Sequence, residues 1–146
     1  MSANITSESL LTLNNITMVV KDIEKTSQQL SNLLGIGPWE LMEYAPSQDE
    51  LIVGKPFKLK FAFARLGETT LQLTQPIEGN SPWKAFLDHK GEGLHNFYFE
   101  VTDWDLAMDT FNKEGNTILA SGRLEGKRWC LFESVKGNLR IEIGEK

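Results

Sequence analysis

The sequence predicts an α+β domain in which one β-α-β-β-β unit is written twice. Leu13, Asn15, Val20 and Asp22 recur as Leu94, Asn96, Val101 and Asp103 at a constant offset of 81 positions, Leu13 onto Leu94. Residues 67–73 lie over 137–143 at an offset of 70, Gly67 onto Gly137, and each copy sets a polar side chain, Gln72 or Glu142, between two aliphatic ones. Between these echoes the hydrophobic period switches from two to about 3.6 and back, in the same order in both halves. The fall in offset makes the second half about eleven residues shorter in its middle, opposite the long loop expected around Pro46 and Pro56 in the first.

Residues 1–11 are polar and serine-rich and read as a flexible lead-in. A strand over 12–20 follows, with Asn15, Thr17 and Val19 on one face and Ile16, Met18 and Val20 on the other. Asp22 caps a helix to about Leu34, whose Ile23, Leu30, Leu33 and Leu34 form one stripe, and Gly35 with Pro38 stops it. A strand over 39–44 leads into a loop over 45–56. Strand 57–66 alternates Phe57, Leu59, Phe61 and Phe63 against Lys58, Lys60, Ala62 and Ala64. After a turn at Gly67, Leu71 and Leu73 oppose Thr70, Gln72 and Thr74, and Pro76 is expected to end that strand. Ser81 and Pro82 open a short helix over 82–90 that joins module 12–76 to module 94–143.

The second module begins with strand 94–101, where Asn96, Tyr98 and Glu100 oppose His95, Phe97, Phe99 and Val101. Asp103 caps a helix striped by Trp104, Ala107, Met108 and Phe111, closed by Gly115. Strands are expected over 117–121, 127–133 and 138–143.

Whole-chain properties exclude several functions. A length of 146 residues fits a single domain, and 40% hydrophobic with 24% charged residues describes an ordinary globule. A net charge of −5 leaves no cationic footprint for nucleic acid. The single cysteine, Cys130, rules out an intrachain disulfide and a thiolate metal cluster. No apolar run reaches the roughly 18 residues of a membrane span. Residues 1–15 lack a basic segment followed by an apolar one, so no signal peptide is expected and the localisation read from the sequence is cytoplasmic.

The paired modules resemble the vicinal oxygen chelate family, which takes in glyoxalase I, methylmalonyl-CoA epimerase, extradiol dioxygenases and bleomycin-resistance proteins. Three passages carry the resemblance, in wording nearest the epimerase-like branch: Leu34-Gly35-Ile36-Gly37-Pro38-Trp39, Leu71-Gln72-Leu73-Thr74-Gln75-Pro76 and Gly93-Leu94-His95-Asn96-Phe97. The resemblance implies that the modules curl into a curved sheet or half-barrel around a cavity, that the protein is a homodimer, and that its partner is a small-molecule ligand or substrate. It also implies four metal-ligand positions, which fall here on Asn15, Gln72, Asn96 and Glu142. Active members usually carry histidine where this chain has its two asparagines. A carboxamide oxygen is a weak neutral ligand, so no cofactor is expected and a divalent metal at Asn15, Gln72, Asn96 and Glu142 is disfavoured.

Glu142 is the candidate catalytic base, because burial in a dry cavity raises a carboxyl pKa toward neutrality. Asn15, Gln72 and Asn96 are candidate amide donors to a developing oxyanion. Tyr98, Glu100, Trp129 and Arg140 are further candidate binding residues. The competing reading pairs Glu142 with Arg140 or Arg65 as a structural ion pair. His95 is expected to be structural, packed against a helix. Lys58, Lys60 and Arg128 form either a cationic rim or, for the lysines, protection of an edge strand. Trp39 and Trp129 are candidate cavity walls. Two functions remain open: a lyase or isomerase of the glyoxalase or epimerase type acting on a small carbonyl or acyl-thioester compound, and a non-catalytic binding protein of the bleomycin-resistance type.

Overall fold

The computed structural model describes residues 11–146. The expected lead-in lies outside the described residues except for Leu11, which already pairs with Val101 in the first strand. The elements run β1 (Leu11–Val19), α1 (Ile23–Leu34), β2 (Glu40–Tyr44), β3 (Leu51–Val53), β4 (Lys58–Leu66), β5 (Thr69–Glu78), α2 (Pro82–Lys90), β6 (Gly93–Val101), α3 (Trp104–Lys113), β7 (Thr117–Leu124), β8 (Lys127–Glu133) and β9 (Arg140–Glu145). Capping follows the sequence. The Asp22 carboxylate accepts from the Lys25 amide at 3.1 Å, Ser81 Oγ from Lys84 at 3.1 Å and Asp103 from Leu106 at 3.0 Å.

All nine strands form one curled sheet in the order β2-β4-β5-β1-β6-β9-β8-β7-β3. Each module pairs its first strand in parallel with its last, β1 with β5 and β6 with β9. The register repeats the sequence offsets: Thr17 faces Gln72 in the first module as Tyr98 faces Glu142 in the second. Antiparallel pairing of β1 with β6 joins the modules within the chain, through Asn15–Tyr98, Ile16–Phe97 and Thr17–Asn96. A local pseudo-twofold axis therefore passes between Ile16 and Phe97.

The convex face is covered by helices. Ile23 of α1 packs with Val20, Ala62, Leu71 and Leu73, and Ala107 of α3 with Val101, Cys130, Phe132 and Ile143. The concave face carries a third cluster that includes Val19, Tyr44, Phe57, Leu59, Phe61, Trp83 and Trp129. Alternation along β4 and β5 sorts residues between the two faces as the sequence predicts.

Two expectations need correcting. The segment over 45–56 is not a loop throughout: a 3-10 turn at Gln48–Glu50 precedes β3, which pairs with β7 of the other module, Leu51 opposite Gly122. Three residues are too few for periodicity to reveal a strand. Pro76 does not end β5 either. It pairs with Leu59, and a register shift beside it lets the strand continue to Glu78, since proline is tolerated where the ladder is interrupted.

Gly122 makes the crossing of β3 feasible. A Cβ there would lie 2.6 Å from the Glu50 carbonyl oxygen and 3.2 Å from the Leu51 side chain. Tyr44 adds a second tie, its hydroxyl donating to the Arg123 carbonyl at 2.9 Å while accepting from Trp129 Nε1 at 2.9 Å. Gly122→Ala should therefore destabilise the fold by about 1–3 kcal/mol, the usual range for overpacking. Urea unfolding with hydrogen exchange tests this: Leu51 and Val53 amides should lose protection before those of β8, and an unchanged midpoint would refute the clamp.

Candidate functional site

The concave face encloses a cavity of about 280 Å³, close to the lower end of small-ligand sites. Its walls are aromatic and apolar, with Met42, Phe61 and Phe63 from the first module facing Trp83 and Trp129. Its polar lining includes Asn15, Gln72, Tyr98, Glu100 and Glu142. Glu125, Lys127, Arg128 and Glu145 also line it, from the β7–β8 hairpin and the end of β9.

Beneath the floor lies Asn96, 1% exposed. Alternation with Tyr98 turns it inward, and next to it β6 carries an extra residue. Thr17 pairs with Asn96 but Met18 pairs with Leu94, so His95 bulges out of the ladder. The bulge breaks the alternation that would have set His95 with Phe97 and Phe99. His95 instead packs on α2, its ring centroid 4.9 Å from that of Phe86 and 5.8 Å from that of Trp83. A matching bulge in β1, between Leu13 and Asn15, leaves Asn14 as the extra residue, the counterpart of His95 under the repeat.

The polar floor is internally bonded. Asn15 Nδ2 donates to Gln72 Oε1 at 2.9 Å, and Gln72 Nε2 donates to Thr74 Oγ1 at 3.1 Å. Trp83 Nε1 donates to Asn96 Oδ1 at 3.3 Å, and His95 Nδ1 lies 2.6 Å from the same oxygen. Asn96 Nδ2 in turn donates to Glu142 Oε1 at 3.5 Å. Glu142 keeps part of its surface toward the cavity, yet burial pushes its carboxyl up to about 7, against the smaller lowering effect of the Asn96 hydrogen bond. Tyr98 is held well above the usual phenol range by burial and by the Glu142 and Glu100 charges, so its hydroxyl remains a donor at neutral pH. Its place depends on Gly144, where any Cβ would collide with the Tyr98 ring and hydroxyl.

This donor set fits a divalent ion poorly. The oxygens of Gln72 and Asn96 already accept hydrogen bonds within the floor, which leaves Glu142 as the single charged ligand among the four positions. Among the described residues no group of three or more histidine, cysteine, aspartate or glutamate side chains is placed to hold a metal.

Several expected residues lie elsewhere. Arg140 is outside this cavity: its Nε donates to the His95 carbonyl at 2.9 Å, its Nη1 lies 3.5 Å from Glu133, and its guanidinium sits 4.8 Å over Phe86. Arg65 donates to the Gly67 carbonyl at 2.9 Å. Neither arginine forms the ion pair expected of Glu142. Lys60 bonds Glu24 of α1 and Lys58 lies 3.6 Å from Glu43, both away from the cavity, and β4 is flanked by β2 and β5, so it is no edge strand. Arg128 reaches the cavity but is neutralised by Glu145, bonded through Nε at 2.9 Å and Nη2 at 3.0 Å. Trp39 packs behind the sheet, its Nε1 donating to Ser31 Oγ at 2.9 Å. Tyr44 and Trp83 are among the cavity residues the sequence did not single out, with Met42, Glu125 and Lys127. The aromatic count of α2 was the one available signal for Trp83.

Paired β-α-β-β-β modules around such a cavity define a class, and the chain belongs to it: the glyoxalase/bleomycin resistance protein/dioxygenase superfamily, which matches over residues 14–132. Among its relatives is the mitochondrial methylmalonyl-CoA epimerase of Homo sapiens, 27% identical over 103 residues, which are 70% of this chain and 53% of that protein. The Bos taurus enzyme is 28% identical over 109 residues, 74% of this chain and 57% of that protein. The chain thus spans about half the length of the curated relatives it matches. In fold it is similar to methylmalonyl-CoA epimerase from Mycobacterium tuberculosis, with a TM-score of 0.70 at 20% identity over 97% of this chain and 92% of that one. A Streptomyces coelicolor methylmalonyl-CoA epimerase variant in complex with 2-nitronate-propionyl-CoA gives a TM-score of 0.69 at 19% identity, covering 94% and 99%.

The raised carboxyl has a consequence for stability. With its pKa near 7 in the fold against an ordinary 4.5, Glu142 binds more protons folded than unfolded between those pH values, so its contribution declines as pH rises through that window. The full effect is about 3 kcal/mol, at 1.36 kcal/mol per unit. His95, pushed down to about 4 by burial from an ordinary 6.5, acts in the opposite sense, its contribution falling as pH drops below 6.5. Wild type compared with Glu142→Gln cancels the histidine. The stability difference between the two should shift against the wild type from pH 4.5 to 7 and stay constant above, as followed by urea midpoints.

Proposed function

We propose that the chain is a metal-independent proton-transfer protein, with Glu142 as a general base acting on the carbon next to the carbonyl of a small acyl thioester. One observation carries this reading: a carboxyl at the floor of an aromatic cavity, held near pKa 7 and touched by a single amide N–H. Such a group is partly ionised at neutral pH and retains affinity for a proton. The carboxylate takes the α-proton, the C–H electron pair moves into the enolate, and the charge develops on the thioester oxygen. The Tyr98 hydroxyl and the second N–H of the Asn15 carboxamide supply hydrogen bonds to that oxygen. Return of the proton from Glu142 regenerates the thioester. The acyl-CoA class of substrate is suggested by the relatives, which are methylmalonyl-CoA epimerases by name.

A second reading is a non-catalytic binding protein. It is favoured by the bonding of Asn15 to Gln72 and of Gln72 to Thr74, which engages three polar side chains of the floor with one another.

Methylmalonyl-CoA incubated with chelator-treated protein in D2O separates the two. Proton transfer predicts α-deuterium incorporation seen by mass spectrometry, and Glu142→Gln should lower its rate about 10²- to 10⁴-fold, the usual worth of a general base. Binding of the thioester with no deuterium uptake would leave the sequestering function.

A further inference from the structure

The Asn96 carboxamide could face either way on steric grounds, since its oxygen and nitrogen are nearly the same size. Its neighbours decide. An indole N–H is a donor only, so the atom 3.3 Å from Trp83 Nε1 must be the amide oxygen. His95 meets that oxygen at 2.6 Å through Nδ1, and against an acceptor oxygen that contact needs a proton on the nitrogen. The one proton of a neutral imidazole therefore sits on Nδ1. Two donors on one oxygen leave Asn96 Nδ2 directed at Glu142. The opposite orientation would set an amide N–H against two donors and turn a carbonyl oxygen toward a carboxylate.

We infer that Trp83 and His95 are positioning residues of the site: by both donating to Asn96 Oδ1 they lock the amide so that its N–H holds the Glu142 carboxylate toward the cavity. This rests on Glu142 being the working group, as proposed above. It assigns a purpose to the β6 bulge, which is what brings His95 and Asn96 to the same side of the strand. It also explains a donor pair on residues that differ in origin, one from α2 and one from β6. The lock fixes one Glu142 oxygen in place by neutral hydrogen bonds.

The test has a readout independent of turnover. The Asn96 side-chain amide is followed by proton–nitrogen NMR and assigned by the loss of its signals in Asn96→Asp. His95→Phe keeps the ring against Phe86 and removes the donor; Trp83→Phe removes the other. Each should move the Asn96 amide signals and speed their solvent exchange about tenfold, the worth of one lost hydrogen bond. With methylmalonyl-CoA in D2O, kcat should fall by about the same factor while KM stays within about twofold. His95→Asn places a carboxamide nitrogen where Nδ1 was and should restore both readouts. Thermal melts identify variants that fail to fold, and His95→Phe carries the test if Trp83→Phe is one of them. Folded variants with an unmoved Asn96 amide overturn the lock, whatever their activity. A responsive amide in a wild-type protein that exchanges no deuterium upholds the lock and sinks the proton-transfer reading alone.

Discussion

The antiparallel seam between β1 and β6 is the constraint on which the rest depends. It joins two modules that would otherwise each present an unpaired strand edge, and it sets the pseudo-twofold relation that brings four polar positions to one floor. Each strand of the seam carries one extra residue just before its asparagine, Asn14 in β1 and His95 in β6. Without the second bulge, strict alternation would turn His95 away from Asn96. The symmetry is then broken by what covers each side. His95 has α2 above it, with Trp83 and Phe86, and becomes fully buried, whereas Asn14 keeps partial exposure.

A polar floor under aromatic walls is costly unless its groups satisfy one another, because a buried unpaired amide forfeits about 1–3 kcal/mol. Most of the floor meets this with side chains bonded in sequence, Asn15 to Gln72 to Thr74 on one side and Trp83 and His95 to Asn96 to Glu142 on the other, while the Thr17 hydroxyl is left without a partner. The two halves of the repeat thus solve the same problem differently. In the first, the chain of donors ends on a hydroxyl; in the second, it ends on a carboxyl. Desolvation outweighs the one amide bond Glu142 receives, which is why its pKa rises where Glu145, with an arginine on it, falls to about 2. Had Arg140 reached Glu142, the carboxyl would have been fixed as an anion. The Phe86 ring, Glu133 and the His95 carbonyl keep that guanidinium on the far side of the floor.

Much of this was legible from the sequence, for a physical reason. Strands of nine or ten residues with one buried face, such as β4 and β5, write their orientation in alternating side chains, and the repeat offsets carried Gln72 onto Glu142 and Asn15 onto Asn96. What stayed hidden involves one residue too many or too few. The bulge at His95 leaves the alternation unmarked, and β3 is three residues whose partner lies some seventy positions away, Leu51 against Gly122. Charged side chains were the other source of error. Lys58, Lys60 and Arg140 are long enough to choose among several partners, and local pattern does not encode which carboxylate or ring lies within reach. Tyr44 escaped notice because its role depends on Trp129 and Arg123, both in the other module.

The strap from the first module also bears on how the cavity works. Tyr44 links β2 to Trp129 of β8 and to the Arg123 carbonyl of β7, and β3 zips along β7 a few residues further on. The walls are therefore joined by a hydrogen bond between two of the lining residues, Tyr44 and Trp129, and a ligand does not need to draw the modules together on binding. The same ties hold the tryptophan wall opposite Phe61 and Phe63 while the floor is held by Trp83 and His95. Hydrogen bonds within one chain thus fix both the aromatic wall and the polar floor of the cavity.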